Sequence, residues 1–183
     1  PKDRKTWKGN MTQLIPAWDK GVLTPLDKLE VHRRGLKHPA ISVFLLAGDK
    51  TLIQQRAAHK YHTPNLWANT VCTHPHWEEP SLACATRRLD EELGIRGCDL
   101  HFGQTVEYRA DVGGGLIEHE VVDIYIARVQ PDIAMALNPE EVQAVRWINF
   151  DTLAQEIKAA PDEFTPWLRV YMRDHRDWIT AAT

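Results

Sequence analysis

Between positions 117 and 129 the chain reads IEHEVVDIYIARV, and no other stretch constrains its fold as much. The residues alternate with the two-residue period of a strand, which puts Glu118, Glu120, Val122, Ile124 and Ile126 on one face. Two carboxylates therefore share a side with apolar residues. Upstream, AISVFLLA (40 to 47) and TLIQQRA (51 to 57) flank Gly48-Asp49, the turn chemistry of an antiparallel hairpin. LWANTVC (66 to 72) and VQAVRWINF (142 to 150) read as further strands. A helix is expected from Pro80-Ser81 to Leu93, stopped by Gly94. A second, near 152 to 159, is expected to be capped by Asp151, and a last one to run from about Thr165 to Ile179. The order implies a mixed sheet with interspersed helices.

With 183 residues, 43% of them hydrophobic, the chain suits one domain able to enclose a site. The expected division is a charged, loose start at residues 1 to 10 and a single domain over 11 to 183. A net charge of -3, from 22 basic and 25 acidic residues, offers no field that would attract nucleic acid or an anionic membrane. No apolar run reaches the roughly 20 residues of a membrane span, and PKDRKTWKGN lacks the apolar core of a signal peptide. Cytoplasmic residence without membrane insertion is the expectation. Cys72, Cys84 and Cys98, an odd and scattered set, argue for reduced thiols. No heptad or exposed apolar stripe points to strong self-association, so a monomer or weak homodimer is expected.

From Thr73 the sequence THPHWEEPSLACATRRLDEELGI resembles the Nudix box, matching its spacing at Glu79, Arg87, Glu91, Glu92 and Gly94. Helical spacing puts Arg88 and Glu92 on one face, where a cation and a carboxylate can converge on a diphosphate and its Mg2+. On its own, RRLDEEL is as readily a solvated face of ion pairs. Thr73 stands where the box has glycine, and Arg88 where it has a glutamate; that exchange weakens a multi-metal hydrolytic site.

NTVCTHP (69 to 75), this helix and IEHEV (117 to 121) together resemble type 1 isopentenyl-diphosphate isomerases, a likeness running from about Thr12 through FTPW at 164 to 167. The resemblance implies an α/β fold of the Nudix type, a mixed sheet sandwiched between helices with extra N-terminal and C-terminal elements. It implies isomerisation of isopentenyl diphosphate to dimethylallyl diphosphate, with Cys72 and Glu120 as the acid-base pair and Tyr108 assisting. His32, His38, His74, Glu118 and Glu120 match ligands of one divalent metal. The ligand types suit Mn2+, Zn2+ or Fe2+ without choosing among them, and Mn2+ is put first. Glu92 and the Cys72 backbone carbonyl match Mg2+ ligands; Lys28, Arg56, Lys60 and Arg88 match diphosphate binders; Trp67 and Trp167 match pocket positions.

A lone histidine is more often a surface or core residue than a ligand, and His59, His62, His76, His101, His119 and His175 are given that ordinary use. Trp7, Trp18, Trp77, Trp147 and Trp178 are taken as structural, and Cys84 and Cys98 as inert. Two competing readings are a Nudix pyrophosphohydrolase, which needs the carboxylate that Arg88 replaces, and a non-catalytic ligand-binding module of the same fold.

Overall fold

The computed structural model describes residues 13–182. The charged start expected at residues 1 to 10 lies outside the described residues. A hairpin of β1 (Leu14–Asp19) and β2 (Val22–Asp27) leads into α1 (Lys28–Arg34), and Ile15, Ala17 and Val31 make a small core between them. Asp27 caps α1 by accepting from the Glu30 amide at 2.9 Å, and Gly35 ends it in the left-handed region.

The main sheet has seven strands. At its centre, β3 (Lys37–Ala47) pairs in parallel with β8 (Leu116–Arg128) along ten residues, and β8 pairs antiparallel with β7 (His101–Gly113). Beyond β3 lie β4 (Lys50–Arg56), β5 (Trp67–Ala68), β6 (Val71–Thr73) and β9 (Val142–Asn149). The expected hairpin about Gly48-Asp49 is present but brief. Only Leu46 and Ala47 of β3 pair with β4; Ile41 to Val43 pair with β6 instead. The expected strand 66 to 72 is split at Asn69-Thr70 because buried side chains replace the ladder there. Thr70 Oγ1 accepts from the Leu45 amide and donates to the Leu52 carbonyl, while Asn69 Nδ2 donates to the carbonyls of Val43 and Val71.

Two cores follow from strand alternation. On one face, Phe44, Val122, Ile124 and Ile126 pack with Leu153 of α3 (Phe150–Ala159) and Leu168 and Tyr171 of α4 (Pro166–Asp174). On the other, Ile41, Val43, Leu45 and Tyr125 pack under Cys84, Ala85, Leu89 and Leu93 of α2 (Ser81–Leu93). The cap expected at Asp151 falls two residues earlier: Asn149 Oδ1 accepts from the amides of Asp151 and Thr152, so α3 begins at Phe150. The expected last helix breaks at His175, and α5 (Arg176–Ala181) continues in a new direction. That turn seats Trp178 on Gly103 of β7, where an added Cβ would lie 2.8 Å from the indole.

Arg87 binds both oxygens of Glu79 at 2.7 and 2.8 Å, fastening α2 to the loop before it. This bond holds the Glu79 carboxyl down at about 2. Its stabilising effect is therefore complete above the unfolded carboxyl value near 4.5 and is lost as pH falls through about 2. Glu79→Gln is expected to cost about 1 kcal/mol at pH 7, the deficit shrinking between pH 4.5 and 2 in urea titrations.

Candidate functional site

The sheet order brings three ligand-bearing strands side by side. β6 delivers His74 just past its end, β3 carries His38 as its second residue, and the parallel register sets His38 opposite Glu120 of β8. His32, on the inner face of α1, stands 3.1 Å through Nε2 from Glu118 Oε1. His38 Nε2 and His74 Nε2 are 3.1 Å apart, and His74 Nε2 lies 2.9 Å from Glu120 Oε1. All five side chains are buried.

The tautomers are set by the backbone. His32 Nδ1 donates to the Lys28 carbonyl at 2.6 Å and His38 Nδ1 to the Leu36 carbonyl at 2.7 Å, so both rings turn Nε2 inward. Among the described residues no hydrogen-bond partner reaches His32 Nε2 or Glu118 Oε2. Separations near 3 Å between such atoms match neighbouring ligands on a metal with bonds of about 2.1 Å. Electrostatics agree. Burial opposes charge on His38, yet Glu118 and Glu120 lift it to about 10. Burial likewise opposes ionisation of Glu118, but His32, His38 and His74 hold it well below the carboxylate range. The spot favours a positive charge, and the His/Glu group could hold a divalent metal, as Nudix enzymes generally do.

A cavity of about 210 Å³ opens against this cluster. Cys72 and Glu120 both line it, from the two strands that flank β3. The Cys72 thiol donates to Asn69 Oδ1 at 2.8 Å, and burial pushes its ionisation well upward. Tyr108 sits opposite Glu120 in the β7–β8 register and donates to Glu120 Oε2 at 2.6 Å. A neutral thiol, a hydrogen-bonded carboxylate and a phenol can exchange protons with a ligand between them.

Lys28, Arg56, Lys60 and Arg88 line the same cavity. Burial and the nearby Lys60 bring Lys28 down to about 8. Arg88 donates to Glu92 Oε1 at 2.7 Å and approaches Glu141, which Lys60 also binds; Gln54 donates to Glu92 Oε2 at 2.8 Å. Trp167 is buried in the wall, with the Arg56 guanidinium 5.4 Å from its ring. Trp67 is not in the wall; Arg146 covers its ring at 4.7 Å.

Gln54, Glu141 and Tyr61, which the sequence reading passed over, also line the cavity, as does His62. His62 corrects its assignment as an ordinary histidine: Nε2 lies 3.2 Å from Glu118 Oε1 and the ring stacks on His32 at 5.6 Å. Burial, with Arg56 and His32 nearby, brings it down to about 2 and keeps it neutral. A second histidine two residues past Lys60 was the only local signal. By contrast, His119 points off the metal face to Glu107, as alternation requires.

The NUDIX domain model matches residues 36–168. An isopentenyl-diphosphate Delta-isomerase of Cereibacter sphaeroides is 57% identical over 169 residues, covering 92% of this chain and 96% of that protein. Its counterpart from Roseobacter denitrificans is 57% identical over 165 residues, covering 90% and 94%. Among solved structures, a MutT NUDIX hydrolase from Burkholderia pseudomallei superposes with a TM-score of 0.59 at 20% identity, over 76% of this chain and 98% of that one, a likeness of fold. No helix of the described residues is long and apolar enough to cross a membrane. By these matches the chain belongs to the Nudix superfamily and, within it, to the isopentenyl-diphosphate Delta-isomerases.

Proposed function

We propose that this protein converts isopentenyl diphosphate to dimethylallyl diphosphate by protonation and deprotonation on opposite sides of a bound substrate. The observation that carries the reading is one cavity lined by a thiol, a phenol-bonded carboxylate and four cations. One proton adds to the terminal methylene carbon, leaving a tertiary cation; another leaves the adjacent methylene on the diphosphate side of that cation, and the double bond forms between those two carbons. Composition is unchanged. Cys72 and Glu120 are the two proton-exchanging groups, in either order, and Tyr108 holds Glu120 in place. Burial excludes water from the cation, and the faces of Trp167 and neighbouring rings stabilise it by roughly 2 kcal/mol. Trp67, behind Arg146, has at most an indirect part.

His32, His38, His74 and Glu118, whose ligand atoms lie within 4.8 Å of one another, hold one divalent ion together with Glu120, which meets His74, and Mn2+ is put ahead of Zn2+ and Fe2+. Such an ion supplies a positive field that sets the acidity of Glu120. Glu92 and the Cys72 carbonyl are the ligands for Mg2+ accompanying the diphosphate, whose oxygens Lys28, Arg56, Lys60 and Arg88 bind. A cytoplasmic protein, monomeric or weakly dimeric, completes the reading.

The deciding experiment is proton NMR in D2O with isopentenyl diphosphate and Mg2+. Dimethylallyl diphosphate carrying solvent deuterium is the expected product. No conversion by metal-replete protein, with phosphate released from nucleotides instead, would return the chain to the hydrolases. Arg88, standing where the box has a carboxylate and bound to Glu92, argues against that outcome.

A further inference from the structure

Four histidines surround Glu118, and they differ in which nitrogen can carry the proton. His32 and His38 spend Nδ1–H on backbone carbonyls, which only accept, so each turns Nε2 toward the carboxylates. His62 is different. Its Nδ1 lies 2.9 Å from the Thr63 hydroxyl, which can donate as well as accept. Its Nε2 lies 3.2 Å from Glu118 Oε1, and a Thr63 hydroxyl that donates to Nδ1 leaves the ring proton on Nε2, facing that oxygen.

We propose that His62 is a positioning residue of the metal centre, donating Nε2–H to Glu118 Oε1, the oxygen beside His32, so that the other oxygen, Oε2, is held toward His38 and His74. Glu118 Oε2 has no hydrogen-bond partner among the described residues and lies 3.4 Å from His38 Nε2 and 3.7 Å from His74 Nε2. The backbone around His62 is built for this placement. Thr63, a β-branched residue, is held at φ 48° and Asn65 at φ 63°, conformations that persist only where surroundings impose them. Arg56 imposes them from within the cavity wall: Nε donates to the Thr63 carbonyl at 3.1 Å and Nη2 to the His62 carbonyl at 3.3 Å. His62 is therefore delivered by a strained loop to the one carboxylate oxygen that faces away from His38 and His74.

The inference rests on the metal part of the proposed function, and its test does not require turnover. Mn2+ is titrated into metal-stripped full-length chain and free Mn2+ is followed by electron paramagnetic resonance, for wild type, His62→Ala and His62→Gln, with circular dichroism melts checking the fold. Glutamine places an amide N–H near the position of Nε2–H. Alanine is expected to weaken Mn2+ binding about tenfold or more, and glutamine to stay within about threefold of wild type. Wild-type affinity in His62→Ala would overturn the proposal. So would glutamine binding no better than alanine, which would mean that His62 acts through a lone pair or by packing. Should alanine fail to fold, the glutamine variant against wild type decides alone. Wild-type protein that binds Mn2+ but does not isomerise would count against the proposed reaction and leave this assignment standing.

Discussion

Cys72→Ala is expected to lower conversion of isopentenyl diphosphate by about a thousand- to ten-thousand-fold while leaving bound metal unchanged. The thiol lies on β6, two residues before His74, but its side chain bonds Asn69 rather than any member of the His/Glu cluster. Deleting Sγ therefore removes a proton-exchanging group and little else, with the cavity enlarged by one atom. Glu120→Gln should be at least as damaging and should also loosen the metal, because Glu120 meets His74 at 2.9 Å and Tyr108 at 2.6 Å. Proton NMR in D2O, paired with metal analysis of each purified variant, separates the two. Near-normal turnover in Cys72→Ala would remove the thiol from the chemistry.

The second large effect is expected from His38→Ala. His38 lies fully buried between Glu118 and Glu120 and faces His74 at 3.1 Å, so its loss removes a ligand and a counter-charge together. Metal affinity should fall by more than about 100-fold, beyond what an outer-sphere partner costs. Conversion should fall with it. The metal-free variant should also be less stable than metal-free wild type by about 3 kcal/mol, since buried carboxylates lose their partner. Metal analysis after dialysis and urea unfolding in chelator give both numbers. Retention of a full equivalent of tightly held metal by His38→Ala would show that the cluster is not the metal centre.

Much of this molecule was legible in its local patterns. The period-two alternation at 117 to 129 announced a strand with two carboxylates on its apolar face, and Glu118 and Glu120 do lie buried beside Val122 and Ile124. Pro80 and Gly94 bound α2 as expected, because proline suits a first turn and glycine the left-handed cap at φ 63°. The convergence of His32, His38 and His74 was reached only through resemblance to a family. Other elements gave weaker signals. The hairpin β1–β2, α1 and β7 went unread, and α4 and α5 were read as one helix because nothing in YMRDHRDW requires the break at His175.

What the sequence by itself determined are the features fixed within a few residues: element type, caps, the face on which each strand residue falls, and the match of motif spacing to a family. Tertiary structure alone decided that β6, β3 and β8 lie side by side, that Asn69 and Thr70 break a strand to bond three others, and that His62 reaches Glu118 across 56 positions of chain. The reason is physical. Periodicity and capping are set by short-range sterics and hydrogen bonding, whereas a histidine becomes a ligand or a donor only when distant backbone fixes its tautomer and burial removes water as an alternative partner.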